Sequence, residues 1–254
     1  MLQEKNQGLL TGSTLKWIAV SAMFINHFGD IVLEGVIMNA PYSAFTDAQF
    51  HIIISCYEKF HAVGRISMPV FCFLIAEGFF CTKDVHQYLK RLSLFAVISE
   101  IPYDLAFGSS AFDPAQQNVY FTLAGGLLTL MAMERYKEQK AVVFAAPVLM
   151  AAAAYFLKFD GGYYGILMMA LFSLLRERRL AKCIAVFALQ IAITAVFCEA
   201  FDLNQILAAL PLVFIYFYNG RRGMKLKYFF YLFYPCHLLA LALFTKLAVI
   251  PAFM

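Results

Sequence analysis

The sequence is poor in charge. Only 14% of its 254 residues are Asp, Glu, Lys or Arg, and it contains one Trp, whereas 62% are hydrophobic. Soluble domains have roughly a quarter charged and about half apolar residues, and a soluble core of this chain length could not enclose so much apolar side chain. A lipid bilayer solvates that excess. The composition therefore excludes an ordinary soluble protein and predicts an integral membrane protein.

The sequence also lacks the short motifs of several enzyme classes. There is no GxSxG, Walker loop, GxGxxG or HExxH, and none of the six Cys stands in a CxxC pair. We therefore predict no bound metal. The formal net charge of +4 is small, and we expect no nucleic-acid partner.

Nine mostly apolar runs are present, and most approach the ~20 residues that a bilayer-spanning helix needs. They cover residues 15–37, 62–81, 89–108, 119–134, 141–157, 161–175, 182–200, 204–218 and 227–249. Whether the two shortest runs, 161–175 and 204–218, cross the whole bilayer stays open. No linker, repeat or soluble segment interrupts them. Residues 1–254 are thus predicted to form a single domain, an all-α polytopic transmembrane bundle of about nine spans.

The positions of the cations predict the orientation. If the N-terminus is cytoplasmic, most of the 20 Lys and Arg fall in cytoplasmic connections, and the external ones are Lys59, Arg65, Lys158 and Lys246. Cytoplasmic loops of membrane proteins carry such an excess. We therefore predict a multi-pass membrane protein with its N-terminus inside. The long external connection 38–61 suits a functional loop or an amphipathic lid.

Charged side chains in a membrane helix tend to mark function, because each costs about 2.5–3.5 kcal/mol near the bilayer centre. The first run carries Asn26, His27, Asp30 and Glu34 at spacings that share one helical face. A His with a carboxylate on its own face can act as a general base with an orienting partner. A buried structural hydrogen-bond network explains the pattern equally well.

Two further runs carry polar pairs. The third has Glu100 and Asp104 one turn apart, and Arg65, at the outer end of the second run, is a cation that would stabilise them. The last has Tyr234 and His237 three residues apart, where His237 suits a proton shuttle or a substrate anchor. The alternatives are a structural Arg–Asp pair between two helices and a His satisfied by a neighbour.

A basic loop, Asn219-Gly220-Arg221-Arg222-Gly223, joins the last two runs on the predicted cytoplasmic side. Glycine lets the backbone approach an anion closely, and paired Arg residues suit phosphates. Ordinary positive-inside charge explains the same loop.

Several blocks, taken in order, resemble the TraX family, named for a conjugal-transfer protein that acetylates the N-terminus of F-type pilin. The blocks are LKWIAVSAMFINHFGD (15–30), GRISMPVFCFLIAEGF (64–79), YLKRLSLFAVISEIPYDL (88–105), QNVYFTLAGG (117–126), DGGYYG (160–165), YNGRRG (218–223) and YFFYLFYPCHLLAL (228–241). The family's usual pair in the first block looks like Asp-His, whereas this chain has Asn26-His27. Asp30, one turn on, is expected to replace the missing aspartate.

The resemblance implies a membrane-embedded acetyltransferase of the bacterial inner membrane. It would move an acetyl group from cytoplasmic acetyl-CoA, its co-substrate, to an amine or hydroxyl of a peptide, sugar or lipid acceptor at the outer side. His27 would be the base, and Arg65 or Asn118 would stabilise the oxyanion. The expected residues are His27, Asp30, Arg65, Asp104 and His237 for catalysis, Asn26, Glu100, Asn118, Asp160 and Tyr234 for substrate, and Lys83, Arg91, Asn219, Arg221 and Arg222 for acetyl-CoA.

Two other classes of protein stay open. A proton-coupled transporter of a small polar or anionic solute would use intramembrane His and carboxylates as a proton relay, although the sequence has no inverted repeat of the kind common in transporters. A non-catalytic assembly factor would tolerate replacement of the buried polar residues one at a time.

Overall fold

A computed structural model describes residues 8–108, 110, 112–197, 209–225 and 227–253. The helices are α1 (Gly12–His27), α2 (Glu34–Asn39), α3 (Asp47–Gly64), α4 (Ser67–Cys81), α5 (Val85–Phe107), α6 (Val119–Arg135), α7 (Lys140–Phe156), α8 (Gly162–Leu174), α9 (Arg179–Phe197), α10 (Leu210–Tyr216) and α11 (Lys227–Phe244). π-Helical segments follow α1 (Phe28–Leu33) and α11 (Thr245–Val249), and 3-10 turns cover Tyr42–Ala44 and Ile250–Phe253. Within the described ranges the regular structure is helical, apart from two isolated β-bridges.

Each predicted run coincides with a helix. The runs 182–200 and 204–218 are described as α9 and α10, and residues 198–208 lie outside the described residues. Polar residues set the helix starts. Asp84 precedes α5 and accepts from the N–H of Gln87 at 2.9 Å, which satisfies one of the unpaired donors of the first turn.

The predicted external connection 38–61 is mostly helical. The Thr46 hydroxyl accepts from the N–H of Gln49 at 3.3 Å, while the Gln49 side chain accepts from the N–H of Thr46 at 2.9 Å. This reciprocal capping starts α3. After a turn at Arg65 and Ile66 the chain continues as α4. The second predicted run, 62–81, is therefore the last part of a longer helical stretch that packs along α1 and its π-helical extension.

The helices pack into a bundle around α8. This helix contacts α4, α6, α7 and α9, while α5 joins α6 to α11, and α1 packs on α3, α4 and α11. Large side chains such as Phe73, Phe172 and Ile166 are fully buried between the helices. The arrangement brings the C-terminal end of α1 beside α11, although these elements lie at opposite ends of the sequence.

The outward surface of the bundle is apolar. Three helical stretches are long and apolar enough to cross a membrane, Gly12–Asn39, Asp47–Cys81 and Tyr228–Phe253, and α7 and α8 are shorter apolar helices. Large side chains such as Val97 and Leu149 are exposed, and broad apolar surfaces of this kind mark contact with lipid. The predicted all-α bundle is confirmed, and the protein is a membrane protein. Nine crossings and a cytoplasmic N-terminus stay predictions.

A proline inside α11 is matched by a donor from α6. Pro235 has no N–H, so it cannot donate to the carbonyl of Tyr231 one turn earlier. The Tyr120 hydroxyl donates to that carbonyl oxygen at 3.0 Å. This bond ties α6 to α11 at the turn that leads to Tyr234 and His237.

Candidate active site

Two histidines from opposite ends of the chain meet inside the bundle. His27 is the last residue of α1, His237 lies within α11, and both are buried. The Nδ1 atom of His27 lies 2.7 Å from the Nε2 atom of His237. The fold thus joins two candidates that the sequence placed on separate helices, and we call them the histidine dyad.

The hydrogen bonds of the dyad assign its tautomers. His237 Nδ1 lies 2.7 Å from the carbonyl oxygen of Phe233, which can only accept, so Nδ1 carries the proton. In the neutral ring Nε2 is then an acceptor, and His27 Nδ1 donates to it. A neutral His27 protonated at Nδ1 has a lone pair on Nε2, which is the form of a general base.

Aromatic rings surround the dyad. The two imidazole planes are 10° apart and the ring centroids are 5.0 Å apart. With a nitrogen–nitrogen distance of 2.7 Å, the centroids can be this far apart only if both nitrogens lie close to the line between them. The hydrogen bond therefore points along the line that joins the two ring centres. Phe233 stacks on His237 at 4.7 Å, while Phe107 and Tyr234 meet His27 edge to face at 5.6 and 5.9 Å. These contacts restrict rotation of both imidazoles.

Asp30 is paired elsewhere and does not orient His27. Its carboxylate accepts a hydrogen bond from the Asn26 amide and lies 3.3 Å from Nδ1 of His61 in α3. The expectation that Asp30 replaces an orienting aspartate is thereby corrected, since His237 occupies the orienting position.

Tyr234 links the dyad to an acidic group. Its hydroxyl is buried and makes no hydrogen bond of normal geometry among the described residues. Its electrostatic neighbours include Asp160, Tyr103 and the N–H of Val119. Asp160 lies in the turn between α7 and α8, where burial raises the pKa of its carboxyl to about 6 even though the N–H of Gly161 donates to it. Two of the predicted substrate-binding residues, Tyr234 and Asp160, therefore lie near each other.

Asn118 is fully engaged in holding two helices together. Its side-chain oxygen accepts from the N–H of Tyr120 at 3.1 Å and caps α6. Its amide nitrogen donates to the Ala96 carbonyl at 2.8 Å and to the Glu100 carboxylate. An amide has two N–H donors, and both are used. The expected role of Asn118 in stabilising an oxyanion is corrected, because it has no donor left for one.

Asp104 and Arg65 do not form the expected pair. The buried Asp104 carboxylate accepts from the N–H of Asp113 at 2.9 Å, in the connection after α5. Arg65, in the turn between α3 and α4, interacts electrostatically with His61 and Tyr164, and the ion pairs found among the described residues do not include it. Asp104 therefore holds the connection after α5 in place, whereas the Arg65 guanidinium is not used in an ion pair among the described residues.

The loop 219–223 holds the start of α1 through its backbone. The N–H of Gly12 donates to the Arg221 carbonyl at 2.8 Å, and the Asn219 side chain accepts from the N–H of Arg221 at 2.9 Å. These donors are not available to cradle a phosphate. Asn219 thus folds the loop through its side-chain oxygen, and its contact with acetyl-CoA stays a prediction. The side chains of Arg221 and Arg222 are exposed.

The other two residues predicted to bind acetyl-CoA, Lys83 and Arg91, differ in exposure. Lys83 is exposed just before α5. The partly buried Arg91 lies over the ring of Tyr88 at 5.9 Å and hydrogen-bonds to Tyr231, and its Nε atom is buried without a partner. The exposed cations Lys83, Arg221 and Arg222 suit the phosphates of acetyl-CoA through their side chains alone, whereas Arg91 points into the bundle.

A profile of the family described as TraX protein matches residues 11–245. The chain belongs to the TraX family. It is also 30% identical over 242 residues to the probable fimbrial assembly protein FimC, serogroup H1, of Dichelobacter nodosus, and the alignment covers 88% of this chain and 91% of that protein. No solved structure matches. Both histidines of the dyad lie within the stretch that matches the TraX family.

Sequence reasoning missed several residues of this TraX-family site. Phe233 fixes the His237 tautomer through its carbonyl, and a backbone acceptor leaves no trace in a sequence. Tyr103, between the two carboxylates of SEIPYD, interacts electrostatically with Glu100, Asp104 and Asp160. Its place in that motif was a usable signal. His61, which pairs with Asp30, was hidden in the predicted external connection.

A second polar group lies at the other end of the bundle. Arg176 is 3.4 Å from Glu77, and the buried Lys182 donates to the Arg176 carbonyl at 3.1 Å. The charge pattern assigned Arg176 and Lys182 to ordinary cytoplasmic loops. Through these contacts Arg176 and Lys182 connect α4, α8 and α9. The described residues contain no group of three His, Cys, Asp or Glu placed to hold a metal ion.

Proposed function

We propose that this protein is an acetyltransferase of the bacterial inner membrane. It would move an acetyl group from cytoplasmic acetyl-CoA to an amine of a fimbrial subunit presented at the outer side. The observation that carries the proposal is the hydrogen bond from His27 to His237, which leaves Nε2 of His27 as a base inside the bundle. Membership of the TraX family and the printed role of the relative, fimbrial assembly, support the choice of acceptor.

The dyad would act by proton transfer. His27 Nε2 takes the proton that the acceptor nitrogen loses as it attacks the acetyl carbonyl carbon. When the C–S bond of the thioester then breaks, the His27 imidazolium returns a proton to the CoA sulfur, which leaves as a thiol. The imidazolium formed donates through Nδ1 to His237 Nε2, and a hydrogen bond from a charged donor is roughly twice as strong as a neutral one. Because this bond strengthens only as the proton moves, the dyad favours the transition state over the bound acceptor.

Bound acetyl-CoA supplies a thioester whose carbonyl carbon is open to attack, and the exposed side chains of Lys83, Arg221 and Arg222 would hold its phosphates. The Tyr234 hydroxyl suits the developing oxyanion. It is buried, makes no normal hydrogen bond among the described residues, and its ring is 5.9 Å from that of His27. A fixed donor of this kind stabilises negative charge without reorganising. Arg65 is a second donor.

The carboxylates favour an amine over an anionic acceptor. Asp160 interacts electrostatically with Asp30 and Tyr234, and the ion pairs found among the described residues do not include Asp160. Negative charge that is not neutralised in a partly buried region attracts an ammonium group. Asp160 would therefore bind the acceptor as an ammonium ion and take one of its protons. The neutral amine then attacks, and its second proton goes to His27.

A transfer assay tests the proposal. Proteoliposomes that contain the purified protein receive labelled acetyl-CoA on one side and an amine-terminated peptide on the other, and we expect label on the peptide. His27→Ala should lower kcat by about 10²–10⁴-fold. The control is His86→Ala, at an exposed histidine in the first turn of α5, which should keep activity.

Two outcomes would overturn this account. Full activity in His27→Ala would remove His27 as the base. Proton-coupled uptake of a small solute with no turnover of acetyl-CoA would identify a transporter instead.

A further inference from the structure

A cavity of about 410 Å³ lies at the turn between α7 and α8, at the end of the bundle that the charge pattern predicts to be external. Its walls are largely aromatic, from Tyr155, Phe159, Tyr163 and Tyr164. Ala115, from the connection before α6, lines one side, and Lys158 supplies a cation. No Asp or Glu is among the lining residues. Ligand sites of roughly 300–1,000 Å³ are typically apolar and aromatic with few polar groups, and this cavity has that character.

The turn that forms the cavity is held in an unusual conformation. Lys158 has φ 54°, a left-handed conformation that few residues other than glycine adopt. Two backbone bonds fix it beside the connection before α6. The N–H of Gln117 donates to the Lys158 carbonyl at 3.0 Å, and the N–H of Asp160 donates to the Gln117 carbonyl at 2.8 Å. Backbone strain that is held in this way clusters at binding sites.

The cavity lies beside Asp160 of the candidate active site. Phe159 and Gly161, which line it, stand on either side of Asp160 in the chain. Neighbouring Cα atoms are about 3.8 Å apart, so the cavity wall lies within one residue of Asp160, and the Asp160 carboxylate interacts with Tyr234 of the dyad region. A second wall residue, Tyr164, interacts with Arg65.

We propose that this cavity binds the first side chain of the acceptor polypeptide and favours a bulky apolar or aromatic residue there. The inference rests on the proposed function, because it takes the acceptor amine to be held at Asp160. A chain whose amine lies at that carboxylate has its first side chain within reach of the cavity. The aromatic walls suit a bulky apolar group, and the lack of a carboxylate in the lining excludes selection for a basic one.

Acceptor peptides that differ only in their first residue test the inference. Peptides that begin with Gly, Leu or Phe are assayed at saturating acetyl-CoA, together with glycinamide as a minimal amine. We expect KM to fall at least about tenfold from the Gly to the Phe peptide. Ala115→Trp, at an exposed lining position, should fill the cavity and raise the KM of the Phe peptide to that of the Gly peptide. Ala48→Trp, at an exposed position in α3 outside the cavity lining, is the matched control.

The outcomes separate the two proposals. If glycinamide and all peptides are left without label, the proposed function fails. If they are labelled but Gly, Leu and Phe peptides have equal KM in the wild type, the cavity inference fails alone. If Ala115→Trp instead displaces a bound phospholipid from the purified protein and leaves peptide KM values unchanged, the cavity is a lipid site and the inference is overturned.

Discussion

The polar cluster and the basic loop hold their polar groups in different ways. We define the polar cluster as the histidine dyad together with Asn118, Glu100 and Asp160. Four of its members are bonded across helices, in the pairs of His27 with His237 and Asn118 with Glu100. In the basic loop, 219–223, the backbone is bonded to α1, while the cationic side chains are exposed. Bonds between helices depend on fixed geometry, whereas exposed cations contribute charge. Single substitutions should therefore act strongly in the cluster and weakly in the loop.

The largest structural effect should come from Asn118→Ala. This change removes the cap of α6 and leaves the Glu100 carboxylate without its donor, so the free energy of unfolding should fall by about 1–3 kcal/mol. Chemical unfolding in detergent measures the change. Catalysis per folded molecule should stay near the wild-type value, since both Asn118 donors are already used.

Asp84→Ala is the matched control for that experiment, because Asp84 caps α5 at an exposed position without a bond to another helix. It should cost less, about 0.5–2 kcal/mol. An Asn118→Ala protein as stable as the wild type but inactive would restore a catalytic role for the amide.

A second effect, of at least about tenfold, should appear in acceptor binding as the pH changes. Burial raises the pKa of Asp160 to about 6, so the carboxylate is charged above that pH and attracts an ammonium group. The acceptor KM should rise as the pH falls through about 6, because the protonated acid loses this attraction, which is worth roughly 1.5–3 kcal/mol for a hydrogen bond to a charged group. Asp160→Asn should have a high acceptor KM with no step near this pH. An identical pH profile in both proteins would exclude Asp160 from the acceptor site.

The smallest effect belongs to the basic loop. Arg221→Ala should raise the apparent KM for acetyl-CoA only about two- to fivefold, since an exposed ion pair contributes about 0.2–1 kcal/mol. Added salt should weaken acetyl-CoA binding less in the variant than in the wild type, because one screened contact is gone. Arg178→Ala, at an exposed position between α8 and α9, is the control. Equal salt dependence in the two variants would show that Arg221 has no special contact with the phosphates.

Local signals in the sequence predicted most of the helices. The apolar runs coincide with α1 and α4–α11 because a bilayer selects long apolar stretches with polar ends. Two local signals were present but not used. Thr46 and Gln49 have the spacing of a capping box, which predicts α3 within the supposed external connection. Asn118 directly precedes an apolar run, the usual position of an N-cap, and this favours the structural role that it has.

The contacts of the site could not be predicted in the same way. His27 and His237 are 210 positions apart, and no spacing rule links residues at that separation. Asp30 pairs with His61 of α3, 31 positions away, so its partner lies on another helix and cannot be found by counting along one helix. The sequence therefore indicated the candidate polar residues, whereas their partners depend on how the helices pack.

A double-mutant cycle on the dyad tests the central claim most directly. We compare kcat for acetyl transfer in the wild type, His27→Ala, His237→Ala and the double variant. If His237 acts by orienting His27, the double variant should be no slower than His27→Ala, because residues that act as a unit are strongly non-additive. If instead the two losses multiply, the histidines act independently, and the dyad is not the catalytic unit of this protein.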